Sequence, residues 1–194
     1  MKIILASSSI FRKQLLSKLG VPFRCISPNI DESRKNGESI AKYVKRLSIA
    51  KAKKIAENMN GALIIGSDEV ADLNGKILGK PLTLKNAKKQ LNMMSGKKVI
   101  FRTGLCVLNA DDNKYFASVS NYNINIKYLD NIIINNYLKK ENVLKCAGSI
   151  KIEAYAINLI SSMSGKDPSS IMGLPLLKLI EYMNRFGVKT LNKT

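Results

Sequence analysis

The stretch ALIIGSDEV at residues 62–70 decides the fold class of this chain of 194 residues. Its apolar part, 62–66, predicts a short buried strand, which polar side chains end at Ser67 and Asp68. Residues 2–6 (KIILA) repeat the arrangement, because Ser7 follows another apolar run. Short apolar strands of this kind belong to sheets that helices cover on both faces. The two stretches together indicate an α/β protein.

Helical and strand patterns alternate along the rest of the chain. The predicted helices are 10–19, 38–57, one that Thr83 caps and that ends at Ser95-Gly96, 130–139 and 169–186, and the further strands are 22–27, 98–109 and 115–128. Asn74-Gly75 predicts a tight hairpin within 70–78. Because no repeat or linker interrupts the pattern, we expect one domain over residues 1–188 and a frayed tail over 189–194.

The composition is that of a globular protein, with 45% hydrophobic and 24% charged residues. No apolar run approaches the roughly 20 residues that span a bilayer. The apolar start, 3–6, is also too short for the core of a signal peptide. We therefore expect a cytoplasmic protein with no membrane partner.

The bulk of the net charge of +18 is interpreted as a solvated lysine surface that reflects a coding bias, since Lys, Asn and Ile are all abundant. The alternative is an anionic partner, either a phosphate-bearing substrate or a nucleic acid. A nucleic-acid partner is not expected, because Trp is absent and no basic patch is interleaved with aromatic residues.

The chain has three cysteines and no histidine. This composition argues against a Cys/His zinc site, a disulfide framework and histidine-based nucleophilic catalysis. Cys25, Cys106 and Cys146 lie in apolar settings and are expected to be inert core residues. Any catalysis must then use carboxylates, lysines, hydroxyl groups or a hard metal ion bound through oxygen.

Polar groups follow the apolar strands at the end where ligands bind in open α/β sheets. At the first strand, serines including Ser7 open a helix that carries Arg12 and Lys13, which predicts an anion site of hydroxyls, backbone N–H groups and basic side chains. The alternative is an ordinary serine-capped helix with solvated basic residues.

Two carboxylate pairs, Asp31-Glu32 and Asp68-Glu69, follow other predicted strands. Buried carboxylates need a partner, so Asp68 is a candidate to orient water or to bind a divalent metal that Glu32 would share. The alternatives are a turn cap at Asp68 and two solvated loop acids at 31–32.

Two lysines complete the candidate site. Lys80 lies between Gly79 and Pro81 in a stiff turn, and Lys51 has small alanine neighbours that would let it reach inward. Taken alone, each is interpreted as one more surface lysine. Taken with the serines, Arg12 and the carboxylates, they fit the hydrolysis of a phosphoanhydride.

Eight collinear segments carry a resemblance that spans Ile3 to about Arg185. They are ILASSSIFRKQLL at 4–16, DES at 31–33, AKA at 50–52, IIGSDEV at 64–70, GKPLT at 79–83, SGKKVIFRTGL at 95–105, KCAGSIKIEAYAI at 145–157 and DPSSIMGLPL at 167–176. The chain thereby resembles the Maf family of nucleotide pyrophosphatases. CAGS at 146–149 and the segment at 167–176 are similar to its YceF-type branch, which hydrolyses 7-methyl-GTP to the monophosphate and pyrophosphate.

The resemblance implies a single α/β domain with a long mixed sheet, two lobes and a central cleft. It implies a nucleotide substrate, a divalent metal ion (Mg²⁺ or Mn²⁺) and, as among relatives, a possible homodimer. It also implies residue roles. Asp68 would be the catalytic acid–base group, and Glu32 and Asp68 would be the metal ligands. The substrate-binding residues would be Ser7, Arg12, Lys13, Lys51 and Lys80, and the residues that select the base would be Phe11, Glu69 and Glu153.

The base-selecting residues have a physical logic, because the ring of 7-methylguanine is cationic and an aromatic face and carboxylates attract it. The alternatives are core packing for Phe11 and an ion pair with Lys151 for Glu153.

Several positions depart from the family pattern. Phe11 replaces Trp, Lys13 replaces Arg, Ile10 replaces Pro, Glu69 stands where the branch resembles Gln, and Ala154 and Ala156 replace glycines. These departures leave open the same reaction on dTTP, UTP or another nucleotide. Lys13, Ala154 and Ala156 also leave open a slow relic enzyme. A further alternative is a non-catalytic basic protein that binds nucleic acid or regulates cell division, against which the intact set of acids and lysines argues.

Glu153→Gln is expected to reduce hydrolysis of 7-methyl-GTP more than hydrolysis of dTTP, because only the former carries a cationic base for the carboxylate to attract. Turnover of both nucleotides by the variant measures this difference. An equal loss on both would remove Glu153 from base selection.

Overall fold

A computed structural model describes residues 1–191 of the chain. Its seven strands are β1 (Lys2–Ala6), β2 (Phe23–Cys25), β3 (Ala62–Leu73), β4 (Lys76–Leu78), β5 (Lys98–Asn109), β6 (Tyr115–Ile126) and β7 (Ile160–Gly165). Its five α-helices are α1 (Ile10–Ser17), α2 (Ile40–Ala56), α3 (Leu84–Met94), α4 (Asn131–Lys140) and α5 (Leu176–Arg185). Short 3₁₀ helices cover Ala147–Ser149, Tyr155–Leu159 and Pro168–Met172.

The strands form one mixed sheet in the order β2-β1-β3-β5-β6-β7, and β4 pairs with β3. β1 runs parallel to β2 and to β3, whereas the pairs β3–β4 and β6–β7 are antiparallel. The predicted α/β class and mixed sheet are thus confirmed. The register of the central pair places Ala6 opposite Gly66, so Ser7 and Ser67 follow paired residues.

Two compact units make up the chain. The first contains Met1–Asp68, Thr103–Ser120 and the segment from Asp167 onward, and the second contains Glu69–Arg102 and Asn121–Lys166. The expected tail lies partly outside the described residues, which end at 191. Residues 189–191 carry neither helix nor strand.

The first unit buries both faces of its sheet. Odd-numbered side chains of β1 and β3, such as Leu5 and Ile65, pack with α1 and α5. Even-numbered side chains, such as Ile4 and Ile64, pack with Ala52 and Ile55 of α2. This alternation explains why the strands read as continuous apolar runs.

Helix α2 lies directly on the sheet at two glycines. A Cβ at Gly66 would overlap the Ser48 carbonyl oxygen and lie 2.9 Å from the Ala52 nitrogen. A Cβ at Gly104 would overlap the Val44 carbonyl group. The absence of side chains at both positions therefore sets the height of α2 above the strands.

The second unit is built around α3 and α4, which contact each other. Thr83 caps α3 and Asp130 caps α4, each accepting a hydrogen bond from a backbone N–H three residues on. Arg102 is held in this unit by Asp72, whose Oδ2 lies 2.7 Å from Nε.

The prediction that the strand from Ala62 ends at 66 is wrong, because β3 continues to Leu73. Ser67, Asp68 and Asp72 are buried within it. Polar side chains do not end a strand when they find partners, since the ladder uses only backbone groups. The hairpin at Asn74-Gly75 is confirmed, and both residues have positive φ angles, 50° and 84°.

The prediction of one helix over 169–186 is also wrong. A 3₁₀ helix ends at Met172, Gly173 adopts a left-handed φ of 94°, and α5 begins only after Pro175. Proline removes a backbone donor and disfavours helix at the residue before it, so the helix is divided here. Strand β7 was not predicted, because its sequence ISSMSG has one buried residue and no apolar alternation.

The cysteines divide by position. Cys106 and Cys146 are buried, as expected, but Cys25 is exposed. The expectation of a core position for Cys25 is wrong because β2 is a three-residue strand at the sheet edge. Within residues 1–191, no helix is long and apolar enough to cross a membrane.

Gly66→Ala is expected to lower the free energy of unfolding by about 1–3 kcal/mol, because the new methyl group would meet the backbone of α2 and force it outward. Urea denaturation measures the change. Gly79→Ala is the matched control, since nothing lies within 4 Å of its added Cβ. Equal stability of the two variants would contradict the close approach of α2.

Candidate active site

The first group of candidate residues lies where β1 passes into α1. Ser9 caps α1 by accepting from the Arg12 N–H, and the Ser9 N–H donates to Ser7 Oγ at 3.1 Å. The Arg12 guanidinium folds back and donates from Nη1 to Ser7 Oγ at 3.3 Å. The serine cap of the helix and the inward fold of the Arg12 side chain onto Ser7 therefore occur together. Lys13 is exposed, and Phe11 is half-buried.

The Gly173 carbonyl oxygen joins this group to β3. It accepts from Arg12 Nε at 2.8 Å and lies 2.7 Å from Ser67 Oγ. The Ser67 hydroxyl also lies 2.8 Å from the Gly104 carbonyl oxygen, so one proton serves two acceptors. Two of the five N–H donors of the Arg12 guanidinium are thus used, and they fix the plane of this group. Ser67, which shares the Gly173 acceptor with Arg12, directly precedes Asp68 in the chain.

The second group is a lysine between two carboxylates. Lys51 Nζ lies 2.6 Å from Asp68 Oδ1 and 2.8 Å from Glu32 Oε1. The side chains of Lys51 and Asp68 are 7% and 9% exposed, whereas that of Glu32 is 55% exposed. Lys51 is therefore not a surface lysine, and Asp68 does not serve as a turn cap.

Helix α2 also holds the loop that carries Glu32. Tyr43 Oη donates to the Glu32 carbonyl oxygen at 2.8 Å. Arg46 donates to the Ser33 carbonyl oxygen at 3.0 Å and forms a two-point ion pair with Glu38, at 2.7 and 2.8 Å. The acidic loop is thus tied to the same helix that supplies Lys51.

The second unit contains the other predicted residues. Lys80 is exposed in a turn whose Gly79 carbonyl oxygen accepts from Gln90 Nε2 at 3.0 Å. Glu69 is half-buried, and Glu153 is exposed. The ion pair suggested between Glu153 and Lys151 is wrong, because Lys151 Nζ pairs with the buried Glu141 at 2.8 Å.

The buried thiols are poor nucleophiles. Burial raises the pKa of Cys106 to about 12. Burial, with the negative charges of Glu153 and Glu69, raises the pKa of Cys146 to about 11. Since the thiolate is the reactive form, neither thiol is suited to nucleophilic catalysis at neutral pH.

The structure thus brings Ser7 together with Arg12, and Glu32 together with Lys51 and Asp68, within the first unit. Sequence reasoning missed Tyr43, Arg46, Ser67 and Gly173. The Gly-Leu-Pro segment at 173–175 carried a signal for the last of these, since glycine and proline close together interrupt a helix and favour a turn. No comparable signal marked Tyr43 among the polar residues of α2.

The first unit thus holds two groups of polar side chains on an α/β sheet, namely a serine–arginine pair and a lysine between two carboxylates. The sequence profile described as Maf-like protein matches residues 2–186, and the chain belongs to the Maf family.

Curated relatives align over nearly the whole chain. A protein of Methylobacillus flagellatus named 7-methyl-GTP pyrophosphatase is 47% identical over 96% of this chain and 97% of its own. One of Colwellia psychrerythraea with the same name is 43% identical, over 97% and 94%. Among solved structures, the Staphylococcus aureus Ham1 protein aligns with a TM-score of 0.47 and 16% identity, over 65% of this chain and 72% of its own.

Lys51→Met is expected to lower the free energy of unfolding by about 3–5 kcal/mol, because it leaves the buried Asp68 carboxylate without its ammonium. Chemical denaturation at neutral pH measures the loss. Adding Asp68→Asn should recover part of it, since the unpaired charge is then gone.

Lys54→Met is the matched control on the same helix. Its ion pair with Glu57 is exposed, with side chains 49% and 55% accessible, so a loss of only about 0–1 kcal/mol is expected. Similar losses in both lysine variants would contradict the buried pair.

Proposed function

We propose that this protein hydrolyses 7-methyl-GTP to 7-methyl-GMP and pyrophosphate in the cytoplasm, and so keeps a modified nucleotide out of RNA. The observation that carries the proposal is the Lys51 ammonium between the carboxylates of Glu32 and Asp68, in a chain of the Maf family. The names of its full-length relatives support the substrate.

The phosphate chain would bind at Ser7 and Arg12. Arg12 is fixed through Nε and Nη1, so its remaining N–H donors can meet phosphate oxygens without loss of side-chain entropy on binding. Lys13, which is exposed on the same helix as Arg12, would supply further positive charge to this anion, and Lys80 is the substrate-binding lysine proposed for the second unit. Charge preorganised in this way stabilises the leaving pyrophosphate.

Asp68 would accept the proton of the attacking water. Its carboxylate is buried and held by Lys51, so its position is set before the substrate arrives. Proton acceptance by a positioned carboxylate contributes typically about 10²–10⁴-fold to the rate. The Lys51 ammonium would stabilise the negative charge of the Glu32 and Asp68 carboxylates while the substrate phosphates bind.

The carboxylates of Glu32 and Asp68 also fit a divalent ion. Both point at one positive charge, and Mg²⁺ is commonly bound by one or two carboxylates together with substrate phosphates. No cluster of three acidic, cysteine or histidine ligands occurs among residues 1–191, which agrees with a site that substrate phosphates complete. A bound Mg²⁺ or Mn²⁺ ion would neutralise phosphate charge.

Glu69 and Glu153 would select the base. Both belong to the second unit, where burial, and then their negative charges, raise the pKa of the Cys146 thiol. Glu153 is exposed and is not the ion-pair partner of Lys151 Nζ, which Glu141 provides. Two carboxylates favour a cationic base. Phe11, in the first unit, is half-buried and is the aromatic residue proposed for base selection there.

Asp68→Asn is expected to lower kcat by about 10²–10⁴-fold and to leave the fold intact, because the amide retains the shape but accepts no proton. Pyrophosphate release from 7-methyl-GTP, GTP, dTTP, UTP and ITP with Mg²⁺ or Mn²⁺ measures both the reaction and its preference. Asp112→Asn, on an exposed loop, is the matched control.

Unchanged turnover in Asp68→Asn would refute the proposed catalytic residue. A preference for dTTP or UTP would keep the reaction and refute the substrate. No release from any nucleotide, combined with steeply salt-dependent binding to DNA, would favour the non-catalytic alternative.

A further inference from the structure

The position of Glu32 is not fixed by packing. Its side chain is 55% exposed, and it lies on the loop between β2 and α2. An exposed carboxylate on a loop samples several rotamers unless hydrogen bonds restrict it. Its placement 2.8 Å from Lys51 Nζ therefore requires that the backbone of Glu32 be held as well.

Helix α2 holds Glu32 at two points. Tyr43 Oη donates to its backbone carbonyl oxygen at 2.8 Å, and Lys51 Nζ meets its carboxylate at 2.8 Å. Tyr43 and Lys51 are eight residues apart on α2, so about 80° separates them around the helix axis and they share one broad face. Helix α2 thus holds both the backbone carbonyl group and the side-chain carboxylate of Glu32.

Arg46 secures the next residue of the loop. It donates to the Ser33 carbonyl oxygen at 3.0 Å, and its guanidinium carbon lies 5.6 Å from the centre of the Tyr43 ring. The hydrogen bonds of Arg46 lower the pKa of Glu38 to about 2, so this ion pair is charged throughout the neutral range. Arg46 therefore supports the Tyr43 ring as well as the loop.

The Tyr43 hydroxyl is a dependable donor. A tyrosine phenol is protonated at neutral pH and donates one hydrogen bond. That hydrogen bond goes to the carbonyl oxygen of Glu32 at 2.8 Å.

We propose that Tyr43 is a positioning residue for the hydrolysis, because its hydroxyl fixes the backbone of Glu32 and so directs the Glu32 carboxylate onto Lys51 beside Asp68. This role rests on the proposed function. Tyr43 acts through Glu32 and need not touch the substrate.

The test compares Tyr43→Phe, Glu32→Gln and the double variant in the full chain. Phenylalanine keeps the ring that Arg46 contacts and removes only the donor. Tyr128→Phe is the matched control, since this tyrosine is 88% exposed. Two readouts are used, namely amide hydrogen exchange of Ser33 and Lys35, whose N–H groups bond within the loop, and steady-state pyrophosphate release.

Tyr43→Phe is expected to speed exchange at both amides about two- to tenfold, as the loss of one hydrogen bond does. It should lower kcat by a similar factor and leave KM within about twofold, while Tyr128→Phe changes neither readout. In the Glu32→Gln background, Tyr43→Phe should lower kcat no further, because a residue that acts through Glu32 has nothing left to position.

Unchanged exchange in Tyr43→Phe overturns the proposal. So does an equal loss of kcat with and without Glu32, since Tyr43 would then act independently. A wild-type protein that releases no pyrophosphate from any nucleotide refutes the proposed function instead, and the exchange rates then decide alone whether Tyr43 orders Glu32.

Discussion

The close approach of helix α2 to strand β3 at Gly66 is the constraint on which the rest of the site depends. With no side chain at this position, the backbone of α2 at Ser48 and Ala52 rests directly on the strand. Lys51 belongs to this turn of the helix, and Asp68 lies two residues beyond Gly66. Because Gly66 has no side chain, α2 can approach β3 closely enough for Lys51 Nζ to lie 2.6 Å from Asp68 Oδ1.

The charges of the first unit are arranged so that each buried group has a partner. Lys51 serves two carboxylates, and Arg12 is held by a serine hydroxyl and the Gly173 carbonyl oxygen. Burying charge without such partners would be strongly unfavourable. Because the acceptors come from four different parts of the chain, the site forms only when the first unit has folded.

Much of the fold could be predicted because the strands β1 and β3 are apolar on both faces and the hairpin at Asn74-Gly75 has a strong local signal. The errors have different causes. The strand from Ala62 continues through Ser67 because this hydroxyl finds the Gly104 and Gly173 carbonyl oxygens, and the local pattern does not show these tertiary partners. The helix predicted over 169–186 is instead divided by a local feature, namely Gly173 and Pro175.

The sequence by itself determined the α/β class, the order of the principal elements, and the exclusion of histidine chemistry, because these follow from periodicity and composition. It also named Asp68, Lys51 and Glu32 as candidates. Only the tertiary structure decided that Lys51, among the lysines of α2, is buried against two carboxylates, and that Tyr43 and Arg46 hold the loop of Glu32. The reason is physical. A lysine at one helical position has the same local propensity as its neighbours, and only the packing of the helix on the sheet determines which of them leaves water.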